Sequence, residues 1–188
     1  MHEQGLIDRP AFSLCLGKNG GMVTFGGHNE SLHVNDSETF SEPLIRSSMF
    51  RIALSDVSVG GKKLAHGKSY RTAFIDSGTT FTYIPYQMSV DLEKSFDAFC
   101  SRNVSCLGRR DRGLCYWMDT AIFAGREKHF FASFPVIALH TSGGNALRWY
   151  PSEYFYAAES KDSHKLYCMA KENYGRSTEL LLGGSFMR

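Results

Sequence analysis

The sequence has no hydrophobic run long enough to cross a membrane as a helix. Such a span needs about 18 apolar residues, and the longest stretch here, Phe134 to Leu139, is strand-sized. It has no excess of one charge either. The 21 Lys and Arg nearly balance the 19 Asp and Glu, leaving +2 with seven His neutral. That balance excludes a polybasic surface for nucleic acid or anionic lipid. Proline is scarce, at five residues, and the 18 Gly follow no period, which excludes collagen-like and low-complexity chains. The polar start, Met1-His2-Glu3-Gln4, lacks the apolar segment of a signal peptide. No G-x-S-x-G, G-x-x-x-x-G-K or H-E-x-x-H occurs, and the histidines show no metal-ligand spacing. No metal or other cofactor is therefore expected.

What is present is the make-up of an ordered, β-rich chain. The 188 residues are 43% hydrophobic and 21% charged, and 14 Phe with 9 Tyr carry most of a 13% aromatic share. Three N-x-[ST] sequons, at Asn29, Asn35 and Asn103, are glycosylation candidates. Cys100, Cys106 and Cys115 are spaced too widely for the short pairs of a zinc site, so disulfides fit them better. Sequons and disulfides both belong to an oxidising, secretory compartment. Cys15 lies between Leu14 and Leu16 with no basic neighbour, which favours a disulfide partner or a buried thiol over a nucleophile.

Along the chain, Phe12 to Leu16 and Met22 to Phe25 read as strands around a Lys18-Asn19-Gly20-Gly21 turn. Phe50, Ile52 and Leu54 alternate with Arg51, Ala53 and Ser55, the pattern of a half-buried strand. Ala73-Phe74-Ile75 is a short apolar strand. One helix is predicted after Pro85, with Met88, Leu92, Phe96 and Phe99 on a single apolar stripe. Arg102, Arg109, Arg110 and Arg112 form a basic loop, read as solvated. Phe130 to His140 and Leu147 to Tyr150 flank Ser142-Gly143-Gly144-Asn145 as a hairpin. The pattern is mostly β with one clear helix.

The sharpest local motif is Asp76-Ser77-Gly78-Thr79-Thr80, directly after the apolar Phe74-Ile75. A carboxylate at a strand end is placed for burial, Ser77 and Thr79 bring hydroxyls, and Gly78 lets a backbone N–H turn onto it. By itself, D-[ST]-G also describes a plain Asx turn.

With its flanks, the motif resembles the second active-site motif of the pepsin-like aspartic proteases. Other passages resemble that family in the same order. They are Gln4-Gly5-Leu6-Ile7 with Phe12-Ser13-Leu14, the Gly20 to Gly27 hairpin, Phe134 to Leu139 with Gly143-Gly144 and Tyr150-Pro151, and Leu181-Leu182-Gly183. Cys15 and the cysteine-rich loop after the helix resemble most the plasmepsin V group of parasite proteases. The resemblance implies one lobe, the C-terminal one, of the bilobal acid-protease fold. Residues 1–14 would be the passage from the first lobe and 15–188 the second lobe. A first lobe with its own Asp would lie upstream, and the last strands, with a membrane anchor, beyond Arg188.

By the same resemblance, Asp76 is the second of two catalytic carboxylates and acts on protein or peptide substrates. The Ser77 hydroxyl would grip the opposite lobe, while the Gly78 N–H and Thr79 hydroxyl orient the carboxylate. Thr80, Phe81 and Tyr83 are substrate-cleft candidates. Cys115 would pair with Cys168 and Cys100 with Cys106, leaving Cys15 over. The implied role is processing of exported proteins in the secretory pathway at an Arg- and Leu-containing motif. Two other readings remain open on sequence: a half-enzyme that joins two copies of Asp76 in a homodimer, and a non-catalytic binding protein on the same scaffold.

Overall fold

The computed structural model describes all residues except 18, 33–38, 47, 104–105 and 188. The chain forms two compact units, Met1–Ser41 with Met187–Arg188, and Glu42–Phe186. In the first unit, β1 (Phe12–Gly17) and β2 (Gly20–Phe25) make an antiparallel hairpin, with Cys15 opposite Met22. Cys15 is an exposed thiol. The buried-thiol reading fails because a two-stranded hairpin has no second layer within its unit to cover that face.

The second unit holds the core. Strand β3 (Arg51–Val59) is followed by the two-residue β4 (Lys62–Lys63), then β5 (Thr72–Ile75), β6 (Thr82–Ile84) and helix α1 (Tyr86–Asn103). After these come β7 (Arg109–Arg110), β8 (Cys115–Asp119), α2 (Glu127–Ala132), β9 (Ile137–Thr141) and β10 (Ala146–Trp149). The remainder is α3 (Pro151–Tyr154), β11 (Phe155–Lys161), β12 (His164–Met169), β13 (Lys171–Asn173) and β14 (Glu179–Leu182). One sheet runs β10-β9-β3-β5-β14-β6-β13, with β4 paired to β3. The other runs β11-β12-β8-β7.

The predicted helix begins one residue after Pro85 and buries Met88, Leu92 and Phe96 completely, while Phe99 is half-buried. Each of the three buried side chains contributes roughly 2 kcal/mol of apolar burial. The aromatic content is concentrated around Phe130. Its ring meets those of Phe123, Phe131, Phe134, Phe155 and Tyr167 at centroid distances of 5.1–6.4 Å. Phe130 sits on α2, not on the strand that Phe130 to His140 suggested. The chain turns helical at Glu127, and β9 starts only at Ile137. The period-2 pattern of β3 also breaks at a register shift between Leu54 and Asp56, so that Asp56, Val57, Ser58 and Val59 are all buried. The basic loop is partly tied down, since Arg110 pairs with Asp97 and its Nε donates to Gly113 O at 2.8 Å.

Disulfides join Cys100 to Cys106 and Cys115 to Cys168. The second links directly opposed residues of β8 and β12, 53 positions apart. Closing a loop of that length restricts the unfolded chain by roughly 4 kcal/mol.

Buried Asp56 is held by Lys63 Nζ at 2.8 Å and by the Val57 N–H at 2.9 Å. Burial alone would raise its pKa. The hydrogen bonds from Lys63 and Val57, with the charges of Lys63 and His140, outweigh burial and leave it below the usual carboxylate value. Half-buried Glu42 is lowered too, by the Thr141 hydroxyl first and then by Asn145 Nδ2 at 2.7 Å.

A folded pKa below the unfolded one gives stability that is present above about pH 4 and lost as pH falls through the folded value. Acid titration of unfolding is therefore expected to show a loss of stability below about pH 4 that is smaller in Asp56→Asn. Replacing both Cys115 and Cys168 with Ala is expected to lower the unfolding free energy by about 4 kcal/mol in denaturant titrations.

Candidate active site

Strand β5 ends at Ile75, and the chain leaves the sheet at Asp76 through a tight loop. Strand β14 runs parallel beside β5, with Leu180, Leu181 and Leu182 opposite Ala73, Phe74 and Ile75. The Asp76 N–H donates to Leu182 O at 3.0 Å, so the loop starts from a fixed point. Each carboxylate oxygen then receives a local donor. The Gly78 N–H reaches Oδ1 at 3.0 Å and the Thr79 hydroxyl reaches Oδ2 at 2.6 Å. Charge-assisted bonds of this kind are about twice as strong as neutral ones, and they fix the rotation of the carboxylate. Asp76 is half-buried, less covered than its position after an apolar strand predicts.

The far side of the loop is anchored by the chain beyond β14. Gly184 N–H donates to Thr79 O at 2.7 Å and Ser185 N–H to Thr80 O at 3.0 Å. Gly183 makes that approach feasible. A Cβ there would collide with the Phe81 carbonyl oxygen and lie 2.7 Å from that of Thr79. Ser185, wholly buried, joins three segments: its Oγ lies 3.2 Å from Thr82 Oγ1 and donates to Ala170 O at 3.2 Å, and its carbonyl accepts Trp149 Nε1–H at 2.9 Å.

The other sequence candidates are placed as follows. Ser77 and Thr80 are exposed, and Phe81 and Tyr83 are half-buried. Phe81 stacks on Tyr156 with centroids 4.9 Å apart, and Tyr83 meets the edge of Tyr174 at 6.0 Å. The structure thus bonds Gly78 and Thr79 to the Asp76 carboxylate, leaves Ser77 and Thr80 exposed in the same loop, and continues the segment into Phe81 and Tyr83. Sequence reading missed Thr82, Tyr156, Ser185 and Trp149. Only the Leu-Leu-Gly-Gly before Ser185 signalled that a backbone passes close by.

Of the sequons, exposed Asn29 accepts from the Ser31 N–H and hydroxyl through its own Oδ1. Asn103 closes α1, with the rest of its sequon outside the described residues, as is Asn35. Among the described residues no three His, Cys, Asp or Glu side chains cluster as a metal site would require.

Chemically, Asp76 is a rigidly aimed acceptor. Ionised, it can take a proton from a water molecule placed against it. It cannot at the same moment give a proton to the opposite side of the reaction. Gly183→Ala is expected to cost about 2 kcal/mol or more of stability in denaturant titrations, because the Phe81 and Thr79 carbonyls must move.

The profile of the eukaryotic aspartyl protease family matches residues 1–188. Relatives include the aspartic proteinase oryzasin-1 of Oryza sativa subsp. japonica, 29% identical over 103 residues, which are 52% of this chain and 20% of that protein. Gastricsin of Suncus murinus is 27% identical over 103 residues, 52% of this chain and 26% of the relative. An aspartic protease of Phaffia rhodozyma is 35% identical over 83 residues, 44% of this chain and 20% of the relative. The matched segments therefore span a fifth to about a quarter of these proteins.

Proposed function

The chain belongs to the eukaryotic aspartyl protease family, and from this we propose that it supplies one of the two carboxylates, Asp76, of an aspartic endopeptidase. The observation that carries the reading is the seat of Asp76, where the Gly78 N–H and the Thr79 hydroxyl each hold one carboxylate oxygen. In this reading residues 15–188 are the second lobe, residues 1–14 are the passage from the first, and the first lobe contributes the other Asp. The two carboxylates share a proton across a water. One takes a proton from the water as it attacks the peptide carbonyl, and the other gives its proton to the carbonyl oxygen. Their apparent pKa values then belong to the pair. Neither a metal nor a covalent intermediate is needed.

The substrate is a polypeptide, and Thr80, Phe81 and Tyr83 line the near wall of the cleft. Two disulfides and exposed Asn29 fit a secreted or lumenal enzyme that processes proteins in the secretory pathway. The narrower likeness to the plasmepsin V group adds a preference for Arg- and Leu-containing sites and an anchor outside this segment.

The test is cleavage of an acid-denatured protein by the protein that carries both lobes. Asp76→Asn is expected to reduce kcat roughly 10³-fold or more, while residues 1–188 alone are expected to be inactive. Undiminished cleavage by the Asp76→Asn protein would overturn the assignment. Activity of the 188-residue chain alone would point to the homodimeric half-enzyme instead.

A further inference from the structure

Away from Asp76, β13 presents a lysine in an unusual setting. Lys171 lies on the edge strand of the large sheet and is half-buried, with its Nζ donating to the Ser89 hydroxyl, in the first turn of α1, at 2.6 Å. Lys63 and Lys165 each have a carboxylate oxygen within 3.2 Å. Among the described residues Lys171 has none at ion-pair distance; its close partner is a neutral hydroxyl. Burial lowers its pKa below the ordinary lysine value, against the fields of Glu93 on α1 and Glu172 on its own strand.

Lys171 also lines an open cavity of about 480 Å³, shared with Arg112, Gly113, Tyr156, Glu159 and Met169. Glu93, one helical turn beyond Ser89, has its Oε1 3.8 Å from where a Cβ on Gly113 would lie, at the cavity wall. On the rim, Arg112 is largely exposed, with Asp111 4.0 Å from its Nε. Burial works against the ammonium here, while the Glu93 and Glu172 carboxylates favour it. The Ser89 hydroxyl also suits the neutral amine, because a hydroxyl can donate to a nitrogen lone pair as well as accept from an N–H.

We propose that Lys171 is a modification site, which condenses with small aldehydes that carry an anionic group held by Arg112. The Nζ lone pair adds to the carbonyl carbon, the C=O π pair moves to oxygen, and a proton passes from nitrogen to that oxygen. Loss of water then forms the C=N bond. One amine and one aldehyde give one imine and one water, with no oxidant or reductant. The site lies outside the Asp76 loop, and its test does not depend on proteolysis.

The experiment incubates the protein with pyridoxal 5′-phosphate near pH 7 and reduces the imine with cyanoborohydride, which spares the disulfides. Adducts are then mapped by peptide mass spectrometry. Lys171 is expected to carry about threefold or more adduct than exposed Lys62, Lys94, Lys128 and Lys161. In Lys171→Arg, which keeps a cation beside Ser89, that adduct is expected to vanish while near-UV circular dichroism is unchanged. Arg112→Ala is expected to lower labelling of Lys171 by pyridoxal 5′-phosphate but not by pyridoxal, which has no phosphate. Labelling of Lys171 no greater than that of the exposed lysines overturns the proposal. Equal loss of both probes, or of neither, in Arg112→Ala overturns the anionic class of ligand.

Discussion

The architecture around Asp76 depends on one close approach of backbone to backbone. Residues 182–185 run beneath the loop that starts at Asp76, and the two are joined by three main-chain hydrogen bonds of 2.7–3.0 Å. That separation leaves no space for a side chain at Gly183. With it in place, Asp76 departs from a fixed strand end, Thr79 is turned so that its hydroxyl meets the carboxylate, and Phe81 is carried onto Tyr156. Without it, the Gly78 and Thr79 donors would be attached to a mobile loop and the carboxylate would sample many orientations. Preorganisation of this kind lets a small number of hydrogen bonds fix the orientation of an acceptor.

The sequence exposed this arrangement where the physics is local. An Asp, a Gly and a Thr within four positions put a carboxylate and its donors side by side, and the Gly78 N–H and Thr79 hydroxyl do bond Asp76 as the motif suggested. The helix after Pro85 was equally plain, since its stripe has the period of a helix and its start is a residue suited to that position. Legibility failed where meaning came from distant partners. Alternation carried on from Ile52 and Leu54 would put Asp56 and Ser58 in the core, yet a register shift against β9 gives the core Val57 and Val59 instead. The Gly67 turn covers Asp56, and His140 lies against Ser58. The hairpin of β11 and β12 has a first strand, Phe155–Lys161, that is exposed after Tyr156 and polar from Glu159, so alternation gave it no outline. Phe130 and Phe131 have the composition of a strand but lie on a helix, because their rings complete an aromatic cluster drawn from five separate segments of the chain. Tertiary packing overrides propensity in such places.

Charge is used sparingly inside the second unit. Asp56 is compensated by Lys63 and a backbone N–H. Ser185, with no charge at all, holds the Thr82 hydroxyl, the Ala170 carbonyl and the Trp149 indole in a single knot. Neutral hydrogen bonds of this sort contribute about 1 kcal/mol each. Their larger effect is to fix three segments of chain at one buried serine, so that moving any of them would leave a buried polar group of that knot without its partner.

The parallel pairing of β5 with β14 also governs when the site can exist during synthesis. Thr82 and Ser185 are 103 positions apart, and the Leu182 carbonyl that fixes Asp76 belongs to the same late segment. A ribosome adding about 5–20 residues per second exposes the Asp76 motif several seconds before its seat can form. Throughout that interval the carboxylate sits on an unanchored loop, and the long-range contact that orders it closes late and slowly. The nascent polypeptide therefore carries the carboxylate without the means to aim it until β14 has emerged and docked beside β5.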